Sequence, residues 1–389
     1  MTQTIVLLDE PETRAQLLPL TFTRPVGDIR TGIYTQATRW KRISGCEVYF
    51  GTQEYLQRKF KPFEGNNVLY IDGAIVATPA LWERICNMQE GDVLYKDGRQ
   101  IARRYGVMEN EQVEYEGELI EIRRPWDIFS RAAEVLAVDY ALAVNGRSSA
   151  PLSETNTLIG PAGNLFIEEG AIVEGAIINV SKGPVFIDRD AEIMEGSLIR
   201  GPFYLGEHSQ LKMGAKIYGA CVFGPHVKVG GEVNNSVIFG YSSKAHDGFL
   251  GNSVLGEWCN LGADTNNSNL KNNYAQVKLW SYIKEGFVNT GLQFCGLIMA
   301  DHSKCGINTM FNTGTVVGVS ANIFGAGFPR NFIPSFSWGG PQGMQEYQVK
   351  QAVQTAELVF ERRGMVFDEI EKELFAGIFE QTRRYRTGL

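Results

Sequence analysis

The chain has 389 residues, more than one ordinary core accommodates, so two or three domains are expected. A composition of 44% hydrophobic and 21% charged residues is that of a globular protein, and a net charge of −7 excludes a generic nucleic-acid binder, which needs a basic face. Six scattered cysteines without a CxxC pair exclude a zinc knuckle or redox motif. No apolar run reaches the ~18 residues of a membrane span, and the opening MTQTIVLLDE has no basic region ahead of a long apolar stretch, so a cytoplasmic protein is expected.

Residues 1–148 read as an α/β domain. TIVLLDE, CEVYFGT, NVLYIDGAIV and GELIEI have the apolar, β-branched character of strands, and ALWERICNM and PWDIFSRAAEVLAVDYALA that of helices. Such alternation predicts an open sheet with helices packed on it. The polar NGRSSAPLSETNT then reads as a linker.

From residue 157 to 335 the glycine content rises and a period of six takes over. Ile187, Ile193, Ile199, Leu205, Leu211, Ile217, Phe223 and Val229 recur every sixth position, preceded by the pair Ile167 and Val173. After a slip of two the rhythm resumes at Val237, Phe249, Leu255 and Leu261, with Ser243 as the exception, and a last run follows at Met299, Cys305, Phe311, Val317 and Ile323. Six matches neither a helix nor an open half-buried sheet. It matches a prism of short strands in which three hexads make one coil, coils stack about 4.8 Å apart as parallel strands, and one aliphatic side chain per hexad fills the interior. Residues 343–389 form a helical tail: Val349, Ala352, Ala356 and Val359 recur at helical spacing, break at Gly364, and resume with Phe367, Ile370, Leu374 and Ile378.

All four histidines lie within the hexads. His208, His226 and His246 each precede an assigned inward position by three residues, so they are expected to stack on one corner, a column that plain turn chemistry explains more cheaply than a transition metal does.

The stretch KAHDGFLGNSVLGEWCNLGADTNNSN, residues 244–269, resembles the acetyltransferase half of bacterial bifunctional N-acetylglucosamine-1-phosphate uridylyltransferase/glucosamine-1-phosphate N-acetyltransferases, whose pattern is KxxHLxYxGDxxIGxxxNIGAGTxxxNYDG. The resemblance implies a left-handed parallel β-helix, with His246 as the general base that deprotonates a sugar amine attacking acetyl-CoA. Histidine's unperturbed pKa suits that task. It further implies acceptor contacts at Asn260, Asn269 and Phe249, the last in place of a tyrosine. Lys216, or Lys228 two hexads later, stands in for a phosphate-binding arginine. CoA contacts fall at Ala263, Thr290, Thr313 and Arg330, and the family habit of building active sites between prisms implies a homotrimer. Asn234 and Leu270 depart from the family's lysine and tyrosine.

The first domain resembles the sugar-phosphate nucleotidyltransferases in a worn form. Thr13 and Arg14 match the TR of LAGGxGTRLxPLTxxxPKP, and PLTFTRP matches the end of that pattern, while Asp9, Glu10, Pro11 and Glu12 replace the glycines that bring backbone N–H groups to a triphosphate. VLYIDGAIVATPALW resembles VLYGDVPLLTPETL, which implies Mg²⁺ on Asp72, nucleotide binding at Arg14 and UTP as a substrate; a turn aspartate is the competing reading of Asp72. A variant group of these bifunctional enzymes, with PLTFTRPVxDIR and INTMFNTGTVVG, resembles the chain over its full length, the second motif lying at Ile307–Gly318. Two alternatives stay open: an acyltransferase whose first domain is a degenerate nucleotide-binding scaffold, and a non-enzymatic or metal-binding β-helix.

Overall fold

Two apolar, mostly buried strands, Thr4–Leu8 (β1) and Val68–Asp72 (β3), run parallel at the heart of the first domain, and the more exposed Glu47–Gly51 (β2) joins β1 in parallel at the sheet edge. The computed structural model describes residues 4–106 and 110–388. The sheet continues through Val93–Lys96 (β4), Arg99–Arg104 (β5) and Gln112–Glu114 (β6) in the order β2-β1-β3-β5-β4-β6, with β5 antiparallel to β3 and β4. GELIEI, expected as a strand, is extended but makes only an isolated bridge: its backbone bonds go to the loop at Ala74–Val76 instead of to the sheet. Helices Pro11–Gln16 (α1), Gln36–Ser44 (α2), Pro79–Cys86 (α3), Asp127–Ser130 (α4) and Ala132–Val144 (α5) complete the layer. Thr35 caps α2 by accepting from the Thr38 N–H.

The hexads fold into a three-sided parallel β-helix, as expected. One face carries six strands from Thr157–Ile159 to Phe249–Gly251, the second nine from Leu165–Ile167 to Phe332–Ile333, and the third ten ending in an antiparallel hairpin at Ser337–Glu346. The expected inward residues from Ile167 to Val229 and from Met299 to Ile323 all line its interior. In the middle run the register differs. Val229 pairs with Lys244, and Val237 with Val254, so coils here are shorter than three hexads. The interior positions are Ile238, Lys244 and Leu250; Val237 faces outward and Phe249 is half-buried on the surface.

The second face is apolar on its outer side as well. Phe166, Phe186, Tyr204, Val222, Val237, Val254, Ile298 and Val316 form a ladder that packs against Leu17, Leu20, Phe22, Val26 and α5 of the first domain in one continuous core. The seam is locked by Arg24, 4% exposed, which pairs with Asp301 and with Glu257 at 3.2 Å, while the Thr23 hydroxyl donates to Asp301 at 2.8 Å. The two tail helices form where the spacing placed them, as Val349–Glu361 (α6) and Glu369–Gln381 (α7). They bury Ala352, Ala356, Phe360, Leu374 and Ile378 against the prism, and Lys59 of the first domain pairs with Glu371.

Candidate functional site

One corner of the prism holds non-glycine residues in the left-handed backbone coil after coil, at Asp190, His208, His226, Tyr241, Trp258, His302, Ser320 and Phe336. Side chains there stack. His208 lies on His226 at 4.9 Å between ring centroids, His226 on Tyr241 at 4.9 Å, Tyr241 on Trp258 at 4.3 Å, and Phe360 of α6 covers Trp258 at 4.0 Å. The column expected of His208, His226 and His246 is thereby corrected: Tyr241 takes the third place, because the short coil after Val229 advances the corner. For the ring-bearing residues, stacking offsets part of the cost of the left-handed conformation. Among the described residues no cluster of three His, Cys, Asp or Glu side chains is arranged to hold a metal ion. Burial drives the His302 pKa well below its usual range, so that ring is a neutral member of the tail's aromatic cluster.

His246 occupies the next corner, between the third and first faces, and is exposed. Its turn is tightly specified. Gly248 has φ 119°, and a Cβ there would meet the Thr265 carbonyl oxygen at 2.2 Å, so only glycine fits. Beneath the turn Lys244 points into the prism, 2% exposed, and its Nζ donates to the His246 carbonyl at 2.6 Å. Burial pushes the Lys244 pKa down to about 8, with Asp247, Cys305 and Asp264 opposing part of the shift.

The first face splits at this level. Strand Phe249–Gly251 ends its sheet, and the next strand, Asn266–Asn267, pairs onward with Met310–Phe311 instead. Asparagine side chains bridge the break: Asn266 Oδ1 accepts from the Phe249 N–H at 2.8 Å and Asn267 Oδ1 from the Gly251 N–H at 2.9 Å. The backbone ladder is thus replaced by polar side chains beside His246. Lys244, Asn266 and Asn267 were missed in the sequence; placing the hexad register on Leu250, Leu255 and Leu261 would have put Lys244 inside.

The sequence-assigned contacts are spread over this face, the adjoining third face and an inserted hairpin. Ser243 pairs with Asn260, and the Asp264 N–H donates to the Asp247 carbonyl, so Ala263 lies one coil beyond His246 on the same corner and Asn260 on the adjoining third face. At the opposite edge Asn269 donates to Asn252 at 2.8 Å, Thr313 to Ser268 at 2.7 Å, and Asn331 to the Thr313 carbonyl at 2.8 Å, with exposed Arg330 beside it. Lys216 shares the strand ladder of Phe249 but lies two coils earlier, with Glu232 between them. The Thr290 hydroxyl is taken by the Val277 carbonyl at the foot of a hairpin, Lys278–Ser281 with Gly286–Asn289, inserted after Asn269.

In the first domain, Glu10, Glu12, Thr13, Asp72, Arg99, Arg123 and Arg124 surround a cavity of about 550 Å³ at the ends of β1 and β3. Arg123 donates to Asp72 at 2.7 Å, to Glu121 at 2.7 Å and to the Thr13 hydroxyl at 2.8 Å. Arg14 turns away, donating to the Thr21 carbonyl at 2.9 Å and to the Tyr55 hydroxyl at 2.6 Å. Burial raises the pKa of Asp9 against the hydrogen bonds from Thr52 and Val26. Arg123 and Arg124 went unmarked in the sequence, where RRP after a strand-like segment was the available sign.

An α/β domain seated on the flank of a hexad β-helix, with a histidine corner beside a split face, defines the architecture. Residues 5–148 match the family model described as sugar nucleotidyl transferase. The chain is similar to a bifunctional sugar-1-phosphate nucleotidylyltransferase/acetyltransferase of Sulfurisphaera tokodaii, 29% identical over 54% of this chain and 46% of that one. It is also similar to the bifunctional protein GlmU of Methanocaldococcus jannaschii, 36% identical over 22% of this chain and 21% of that one. The chain spans less than half the length of these relatives. Among solved structures, an Arabidopsis UDP-N-acetylglucosamine acyltransferase aligns with 62% of this chain and 91% of its own, at 12% identity and a TM-score of 0.21.

Proposed function

We propose that the chain makes a nucleotide-activated acetamido sugar. Its β-helix would acetylate an amino-sugar phosphate, with glucosamine-1-phosphate the favoured acceptor, and its first domain would couple the product to UTP. The observation that carries this reading is exposed His246 on a glycine-dependent turn beside the split first face. An ammonium cannot attack a thioester; it must first lose a proton. The His246 imidazole accepts that proton, the free amine forms the C–N bond, the C–S bond breaks, the leaving CoA thiolate is protonated by the imidazolium, and the amide nitrogen gives its second proton to solvent. Asn260, Asn269, Phe249 and Lys216 are proposed to hold the acceptor, and Ala263, Thr290, Thr313 and Arg330 the CoA. These residues are spread over the first face, the adjoining third face and the inserted hairpin, so a partner prism of a homotrimer would close the slot. A cytoplasmic setting, where acetyl-CoA and UTP are both at hand, suits this reading; among the described residues no helix is long and apolar enough to cross a membrane.

The residues around Asp72 fit Mg²⁺ poorly. Its Oδ1 accepts from the Ala74 N–H at 2.9 Å and its Oδ2 is neutralised by Arg123, so the carboxylate has little charge left for a hard cation. That chemistry, together with inward-turned Arg14, favours the second reading, an acyltransferase with a nucleotide-binding first domain. Incubation with acetyl-CoA and glucosamine-1-phosphate should release free CoA, and added UTP should then release pyrophosphate. No CoA release with any amino-sugar phosphate overturns the proposal; CoA release without pyrophosphate selects the second reading.

A further inference from the structure

A second cavity, of about 340 Å³, opens where the first domain meets the hairpin at residues 278–289, and Glu12, Gln16 and Arg124 line both this cavity and the larger one beside Asp72. The two therefore form one cleft. Arg124 stands at its waist. Among the described residues its guanidinium makes no hydrogen bond or ion pair, and Asp127, whose carboxylate feels its charge, is bound instead by the backbone N–H groups of Arg123 and Arg124. A half-buried guanidinium left unpaired in a cleft is an anion site. The far wall is apolar and aromatic, from Trp126 of the first domain and Trp280 of the hairpin. Trp280 is stacked on Phe332 at 4.2 Å, and its indole N–H is buried without a partner. Glu12, which accepts from Gln16 at 2.7 Å, offers a carboxylate to a hydroxyl donor, and Lys284 adds a cation at the rim.

Aromatic walls, a carboxylate, and then arginine describe in order the base, ribose and phosphates of a nucleotide. The geometry points to a nucleoside di- or triphosphate bound across both domains, its base against the hairpin of the β-helix and its phosphates at Arg124 and onward toward Arg99 and Arg123. The hairpin then completes the nucleotide site, and the replaced glycine loop is compensated from the other domain. This inference rests on the proposed binding of a nucleotide by the first domain and does not require nucleotidyl transfer.

Calorimetric titration of the full chain with UDP, ADP, pyrophosphate and CoA tests it. UDP or ADP should bind. Trp280→Leu should weaken the nucleotide by about tenfold or more, the order of one lost base stack, while sparing pyrophosphate. Arg124→Ala should weaken nucleotide and pyrophosphate alike. If Trp280→Leu proves unfolded by its melting curve, Lys284→Glu at the rim replaces it, and a nucleotide Kd unchanged in that variant overturns the inference. So does a nucleotide Kd unchanged by Trp280→Leu, a wild-type chain that binds neither UDP nor ADP, or a Trp280 effect confined to CoA. UTP turnover with a KM indifferent to Trp280→Leu removes the inference and keeps the proposed function; nucleotide binding without turnover does the reverse.

Discussion

Lys244→Met should abolish a pH dependence of stability that the wild-type chain carries on one buried ammonium. The Lys244 pKa falls from 10.5 to about 8 on folding, because the prism interior withdraws it from water. At about 1.36 kcal/mol per unit this costs the folded state about 3 kcal/mol. The cost is fully present below pH 8, where the lysine is charged in both states. It is relieved between pH 8 and 10.5, where the unfolded chain holds the proton and the folded one does not, so stability rises with pH in that window. Methionine is apolar and similar in length, and removes the cost at every pH. It also loses the hydrogen bond to the His246 carbonyl, worth about 1–3 kcal/mol for a charged donor. Near pH 7 the variant should thus be as stable as wild type or up to about 2 kcal/mol more so. Urea denaturation of both proteins at intervals from pH 7 to 10 checks this, since other titrating groups cancel in the difference. The variant's advantage should shrink by about 2–3 kcal/mol across the range. A difference that stays constant with pH would refute the interior placement of the Lys244 charge.

Arg24→Met should destabilise the chain by about 3–5 kcal/mol, because Asp301 and Glu257 are left at the domain seam without their cation; urea unfolding measures it, and a change under 1 kcal/mol would contradict the lock. Gly248→Ala should lower the melting temperature and acetyl transfer together, since its Cβ would collide with the Thr265 carbonyl. Zinc should leave the melting temperature unchanged, because His208 and His226 are stacked with Tyr241 in place of a third histidine; stoichiometric zinc by elemental analysis would contradict this.

The β-helix was legible because its interior admits one aliphatic side chain per hexad, and residues from Ile187 to Val229 obey that rule without exception. It became illegible where the coils shorten. Val237 and Phe249 keep the spacing, yet Ile238 and Leu250 are inside, and a lysine at an interior position gave no hydrophobic signal to correct the register. That one-residue error also misplaced His246 on the stacked corner. The docking of the first domain was written in triplets such as LFI, VFI and FYL, whose middle residues face outward yet are apolar, a sign that the face is covered. The tail helices were legible from plain amphipathic spacing. In the first domain the match at PLTFTRP was real, but Thr23 and Arg24 serve the seam with the β-helix. Arg123 and Arg124 escaped notice because an arginine pair reads as solvated surface until the fold turns it into a cavity.

The central claim is that His246 removes the acceptor's proton. Mass-spectrometric detection of N-acetylglucosamine-1-phosphate, formed from acetyl-CoA and glucosamine-1-phosphate, tests it in wild type and His246→Ala. The exposed side chain makes the substitution neutral for folding to about 0.5 kcal/mol. The account predicts product from wild type and at least a hundredfold slower formation in the folded variant. Equal rates in the two proteins would contradict it.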